Sequence, residues 1–227
     1  MNDLAPHGKV GVFKRALLSW GVSGVRRFPW RETRDPYAVI VAELMLRRTK
    51  AAQVLPVYNT FIGAYPTLMD LANAAPSNIR RICQPLGLHW RVENLVELSQ
   101  EARHNRLRRI PASIEELQQL SGVGPYVAGA VRCLAFGYAC PVVDSNVVRV
   151  LSRFFGLSIQ GEARRSRRMV DLAARCVDRD APRDYNLALI DFGALVCTPN
   201  RRGCAACPLS AGCSWIGTCC QGDICRE

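Results

Sequence analysis

Hydrophobic residues recur along this 227-residue chain at the three- and four-residue spacing of helices rather than in alternation. Tyr37, Ile40, Val41, Leu44 and Met45 form one face of a helix predicted over Tyr37–Thr49. Val54, Leu55, Val57, Tyr58 and Phe61 do the same over Ala51–Phe61. Thr67–Ala74 and Ser77–Cys83 read as two short helices, each opened near a Ser or Thr cap and separated by Pro76. Arg91–Asn105 places Leu95, Leu98 and Ala102 on one face. No pair of alternating segments carries hairpin chemistry, so an all-α fold is expected. There is no internal repeat and no low-complexity stretch. After Cys213 the tail turns rich in Gly and Cys, and regular structure is expected to end there.

Residues 114–136 are more specific. Ser113 opens a short helix over Ile114–Leu120, with Glu116 three residues on as a capping box. Ser121-Gly122-Val123-Gly124 follows, and Pro125 and Tyr126 open a second helix. Two short helices joined by Gly-x-Gly make a helix–hairpin–helix. The glycines allow a tight turn and a close backbone approach, and the free N–H groups opening the second helix suit a phosphate. An ordinary αα-turn shares the Gly-x-Gly pattern. What favours DNA is the charge: 30 Lys and Arg against 19 Asp and Glu, a net +11. Arginine dominates, clustered at 26, 27, 31 and 34, at 47 and 48, and at 164, 165, 167 and 168, and its fork suits phosphate.

No run approaches the roughly 18 apolar residues of a membrane span, and Met1–Val12 lacks the apolar core of a signal peptide. A soluble, cytoplasmic, monomeric protein associated with DNA is expected. Eleven cysteines then call for metal rather than disulfides. Cys197-x6-Cys204-x2-Cys207-x5-Cys213 gathers four thiols in one loop. Four Cys ligands suit an iron–sulfur cluster or a structural zinc; the wide first gap favours a [4Fe–4S] cluster. Cys219, Cys220 and Cys225 are open as substitutes for the fourth ligand. Cys83, Cys133, Cys140 and Cys176 lie in apolar surroundings and read as buried hydrophobes.

Taken in order, Phe28-Pro29-Trp30-Arg31, Asp35-Pro36-Tyr37, the Ala42–Thr49 segment, Leu120–Tyr126, Val143–Val150 and the four-cysteine loop resemble the helix–hairpin–helix (HhH-GPD) DNA glycosylase superfamily over nearly the whole chain. Within it they resemble the branch of the adenine glycosylases and of the thymine glycosylases of G/T mismatches (MIG type). The resemblance implies two α-helical lobes with the DNA site in the cleft between them, and a structural cluster. It implies residues 1–28 packing with the cluster lobe, 29–135 as a six-helix lobe including the hairpin (114–135), 136–215 as C-terminal helices with the cluster loop (197–213), and a tail at 216–227.

Tyr126 stands where strand-nicking relatives carry a Schiff-base lysine, which implies a monofunctional enzyme. Adenine glycosylases usually carry serine there and two glutamines at the positions of Arg47 and Arg48, and add a C-terminal domain. The resemblance therefore points to thymine or uracil opposite guanine, with adenine as the alternative and a silent mismatch-binding module as a reading of another class. Asp144 matches the catalytic aspartate that stabilises oxocarbenium character on the sugar, and it also suits the N-cap of a helix over Asn146–Phe154. The target base must be flipped out of the stack. Tyr126 would line the pocket, and Glu43, a carboxylate among apolar neighbours, would contact the pyrimidine edge. Asn146 would hold Asp144 or the DNA backbone. Leu46, Arg47 and Arg48 lie where the family inserts residues into the duplex; Leu88, His89 and Trp90, in the loop after Gly87, are candidates for a second insertion. Double-stranded DNA with a mismatched or modified base is the implied partner.

Overall fold

A computed structural model describes residues 7–219 apart from 88, 159–162 and 201–203. Its regular structure among those residues is helical: α1 (His7–Gly24), α2 (Pro29–Glu32), α3 (Pro36–Leu46), α4 (Ala51–Ala64), α5 (Leu68–Ala72), α6 (Pro76–Cys83), α7 (His89–His104), α8 (Ile114–Gln119), α9 (Pro125–Leu134), α10 (Ser145–Phe155), α11 (Arg167–Cys176), α12 (Pro182–Leu195) and α13 (Ser214–Cys219). The helix α13 corrects the expectation of an irregular tail after Cys213. The chain divides into two compact units: 27–137 is continuous, and 1–26 joins 138–227 in the other.

In the continuous unit, α3 is the central element. Asp35 caps it by accepting from the Tyr37 amide at 3.0 Å, Pro36 fills the first helical position, and every residue from Tyr37 to Met45 is buried. A helix apolar on all sides needs neighbours on all sides, and α4, α7 and α9 supply them. The helix stops at Leu46, three residues short of the periodicity. Thr67 and Asp70 form a capping box on α5. The next start differs from expectation: α6 opens on Pro76, with Ala75 rather than a hydroxyl residue at the cap. Ser113 does cap α8 through the Glu116 amide, but the Glu116 side chain makes no return bond to the Ser113 amide, so no capping box forms.

In the other unit, α1 and α10 lie against α12, and α11 covers α1. Phe13, Leu17, Phe154, Tyr185 and Phe192 are enclosed at its centre, with the Phe13 and Phe154 ring centroids 4.8 Å apart. Gly156, at φ +70°, ends α10 in the left-handed conformation that favours glycine. Cys83, Cys133 and Cys176 are fully buried as expected, and burial pushes the thiols of Cys83 and Cys176 up to about 12. Cys140 is only half-buried, next to the exposed residues 136–139.

One charged pair holds the ends of this unit. Asp191 on α12 has no exposed surface. It accepts from the Arg26 backbone amide at 2.7 Å and from the same residue's guanidinium at 3.0 and 2.5 Å. Losing the Arg26 side chain takes the charge-assisted donors from a buried carboxylate. Arg26→Ala is expected to cost about 3–5 kcal/mol in denaturant unfolding. Tyr185→Phe, which removes a buried hydroxyl that makes no hydrogen bond, should be neutral or stabilising by about 1 kcal/mol.

Candidate DNA-binding and catalytic site

The hairpin between α8 and α9 is held from beneath by α7. Ser121 donates its amide (3.1 Å) and its hydroxyl (2.5 Å) to the Glu101 carboxylate. Gly122 turns the chain at φ +76°, and a Cβ there would come within 2.6 Å of the Asn94 side chain. Glycine is therefore required twice over, by conformation and by space. Val123 buries its side chain, so it can offer a ligand only its backbone. Gly124 is exposed, with open space where a Cβ would stand, and it precedes Pro125 at the start of α9. The first-turn N–H groups of α9 are thus approached over a residue with no side chain. Tyr126 follows, half-buried, in that first turn.

The segment after α3 is a type II turn. Thr49 donates its amide to the Leu46 carbonyl at 3.1 Å, Arg47 has φ −59° and ψ 112°, and Arg48 has φ +59°. Its third position normally takes glycine; Arg48 occupies it at a cost of about 1 kcal/mol, and its side chain is exposed. Leu46 and Arg47 are half-buried. Arg47 donates to the Gly122 carbonyl at 3.3 Å, and its guanidinium lies 4.6 Å from the centre of the Trp90 ring. His89 and Trp90 are not in a loop, as expected from sequence, but in the first turn of α7, both exposed. Leu88 lies outside the described residues. Glu43 is buried on α3 at 5% exposure.

In the other unit Asp144 caps α10. One carboxylate oxygen accepts from the Val147 amide at 2.7 Å and the other from the Asn146 side-chain amide at 3.0 Å. Desolvation by burial raises its pKa; these hydrogen bonds and the nearby Arg149 charge only partly offset that. Asn146 is itself gripped. Its side-chain oxygen accepts from Arg149 at 2.8 Å, and the same guanidinium donates to the carbonyls of Gly193 and Cys197, both at 2.7 Å. A continuous set of hydrogen bonds therefore runs from the Asp144 carboxylate to the backbone of Cys197. Gly193 lets α12 approach closely here, since a Cβ would fall 2.6 Å from that of Asn146.

Cys197, Cys204, Cys207 and Cys213 are half-buried. Three of them, Cys197, Cys207 and Cys213, pack against the core of this unit. Arg153, one turn beyond Arg149, donates to the Cys197 sulfur at 3.5 Å and to the carbonyls of Thr198 and Pro199, and stacks over Trp215 at 4.9 Å. The donor set suits an iron–sulfur cluster in kind and number. Among the described residues, though, no three His, Cys, Asp or Glu side chains stand together closely enough to hold a metal ion. Cys220, Cys225 and the side chain of Cys219 lie outside the described residues.

A family model described as "HhH-GPD superfamily base excision DNA repair protein" matches residues 41–175, which span Glu43, the hairpin, Tyr126 and Asp144. The chain belongs to this family. This HhH-GPD protein is 36% identical to the thymine/uracil-DNA glycosylase of Methanothermobacter thermautotrophicus, over 96% of its own length and 99% of that protein. It is 37% identical to the adenine DNA glycosylase of Rattus norvegicus, over 90% of its own length but only 42% of that protein. The solved structure of a thermostable thymine-DNA glycosylase superposes with a TM-score of 0.87 at 36% identity, covering 93% of this chain and 98% of the other.

The supporting residues of the HhH-GPD site were not legible in sequence. Glu101 and Asn94 sit on a helix whose apolar face alone gave a signal. Arg149 stands inside a recognised motif without a role until its three acceptors are seen. The relay through it generates a prediction. Arg149→Gln should raise the Asp144 titration midpoint further, read by carbon-13 NMR of the carboxyl. It removes a favourable charge and frees Asn146. Arg149→Lys should restore the wild-type value only in part, because an ammonium returns the charge but cannot reproduce the fork.

Proposed function

We propose that this chain is a monofunctional DNA glycosylase of base excision repair that hydrolyses the N-glycosidic bond of thymine or uracil opposite guanine. The observation that carries this is that a chain end-to-end similar to a thymine/uracil-DNA glycosylase has Tyr126 in the first turn of the hairpin's second helix and, separately, a desolvated carboxylate at Asp144. The hairpin backbone at Gly122–Gly124 binds a DNA phosphate, and exposed Arg48 contacts the duplex. Tyr126 lines the pocket of the flipped base, and Glu43 contacts the pyrimidine edge. As the glycosidic bond breaks, the Asp144 carboxylate stabilises positive charge on the sugar and orients water for attack at the anomeric carbon. Tyr126 has no amine, so no Schiff base forms and the strand is not cut.

Cys197, Cys204, Cys207 and Cys213 hold a [4Fe–4S] cluster in this reading. Held there, it would fasten the loop whose Cys197 carbonyl accepts from Arg149. No helix among the described residues is long and apolar enough to cross a membrane, and the protein acts as a monomer on DNA in the cytoplasm.

Duplexes with G·T, G·U and A·G mismatches, followed by alkali, test the reaction. Release of thymine and uracil is expected; release of adenine alone would establish the adenine alternative, and breaks without alkali would refute the missing lyase step. Binding with no base released would favour a silent recognition module. Asp144→Asn should lower single-turnover base release by at least about a hundredfold. Because the folded-state pKa of Asp144 lies above the ordinary value near 3.8, the charged form is disfavoured in the fold. Its contribution to stability is therefore present at low pH and lost as pH rises, so the Asn variant should be at least as stable at pH 7. Base release should fall as pH drops, along a limb lying above an ordinary aspartate's pKa. Purified protein should contain about four iron atoms per chain, and Ser at 213 or at 219 should identify the fourth ligand by iron loss.

A further inference from the structure

The chain reaches Asp144 through Cys140-Pro141-Val142-Val143, a segment without helix or strand whose two valines are buried. Buried backbone outside regular structure still needs hydrogen-bond partners, and here one side chain supplies them. Asn186 of α12, at 1% exposure, accepts from the Val142 amide at 3.1 Å and donates to the Cys140 carbonyl at 3.0 Å. A single amide thus bonds the residues on either side of Pro141, as a residue of a parallel strand would. Pro141 has no N–H to satisfy, and its ring fixes its φ. Asn186 also donates to the Pro182 carbonyl at 2.8 Å, one turn back on α12. Its oxygen faces an N–H and its nitrogen faces two carbonyls, so turning the amide over would oppose all three pairs. Asn186 and Gly193 are seven residues apart and share a face of α12. Gly193 meets Asn146 and its carbonyl accepts from Arg149, just after Asp144; Asn186 holds the chain just before it. One helix therefore grips the backbone on both sides of the carboxylate.

We propose that Asn186 is a positioning residue for Asp144, its side-chain amide taking the place of a neighbouring strand along Cys140–Val142 and so fixing the backbone from which the carboxylate projects. This rests on the reading above, in which Asp144 acts on the sugar. Asn186 is enclosed and acts through the backbone alone. It removes freedom from the approach to Asp144, as the Val147 amide and the Asn146 side chain do beyond it. Misplacing such a group by about 1 Å costs up to about a hundredfold in rate.

The test uses the full chain. Single-turnover release of thymine from a saturating G·T duplex is measured well below the unfolding temperature. Amide hydrogen exchange and the carbon-13 titration of the Asp144 carboxyl are recorded on the free protein. Asn186→Leu keeps a side chain of similar size but none of the three hydrogen bonds. The expected result is release slowed by about ten- to a hundredfold and fast exchange at Val142. The Asp144 midpoint should move down toward that of an ordinary aspartate, as water reaches a loosened carboxylate. Asn186→Ala should behave alike. Leu172→Ala, cut from the same core on α11, should lower thermal stability comparably and leave release and the Asp144 midpoint normal. Normal release with an unchanged midpoint in Asn186→Leu would overturn the proposal. Equal slowing in Leu172→Ala would overturn it by making slow release a consequence of lost stability. Fast exchange of the Val142 amide in the wild-type protein would also overturn it, and that measurement needs no variant to fold. Exchange and titration are read without DNA, so they bear on the positioning alone; a wild-type protein that releases no base counts against the function.

Discussion

Asp144 keeps a carboxylate in a desolvated place with only partial compensation, and much of its unit is arranged around that constraint. Two hydrogen bonds fix its oxygens, one from the helix it caps and one from Asn146. They orient the group without neutralising it. Had Arg149 paired with the carboxylate directly, the pKa would be held down and the anion bound too well to respond to a developing positive charge. Instead the guanidinium is spent on Asn146 and on two backbone carbonyls, and its charge reaches Asp144 only at a distance. Gly193 makes room for this, since any side chain there would displace Asn146.

The hairpin shows a related economy in the other unit. Its glycines give a backbone that can turn and be approached, but such a backbone is entropically loose. The looseness is removed by side chains placed underneath rather than in the loop. Glu101 takes two donors of Ser121, Asn94 closes against Gly122, and Arg47 ties the turn across. The surface left toward a ligand is polypeptide backbone and the first turn of α9. Strain is accepted at Arg48, whose left-handed backbone exposes a charged side chain.

Much of the helical order was legible because burial on one face or all faces writes a period into the sequence. The Tyr37–Met45 run followed from it, whereas the hairpin followed from its Gly-x-Gly turn and the Asp144 cap from a carboxylate placed just before a helix. Boundaries were less legible. The periodicity from 37 to 49 could not show that Arg47 and Arg48 leave the helix, since a charged residue fits a helix end as well as a turn. Nor could a Gly-x-Gly pattern show which residues of α7 support it, because Asn94 and Glu101 look like any solvated face. The expected loop at 88–90 is helical from His89, and the tail after Cys213 gains α13, where Ser214 meets Lys9 of α1 at 2.7 Å. Neither contact has a local signature. The thiols of the cysteine loop were conspicuous by spacing, whereas Arg153, which grips that loop through three residues, was not.

The unit that contains Asp144 is assembled from the two ends of the described chain, with residues 27–137 between them. Synthesis therefore delivers its parts far apart in time. The helix α1 leaves the ribosome first, but α12, its main neighbour, follows more than a hundred residues later, after the inserted unit is complete. Throughout that interval Phe13 and Leu17 have no core to enter and the Arg26 guanidinium has no Asp191. The inserted unit can close on its own in the meantime and bring the two segments within reach, replacing a search over a long open chain with a short one. A nascent protein of this design passes through a stage in which residues 27–137 have been made while α12 has yet to be translated.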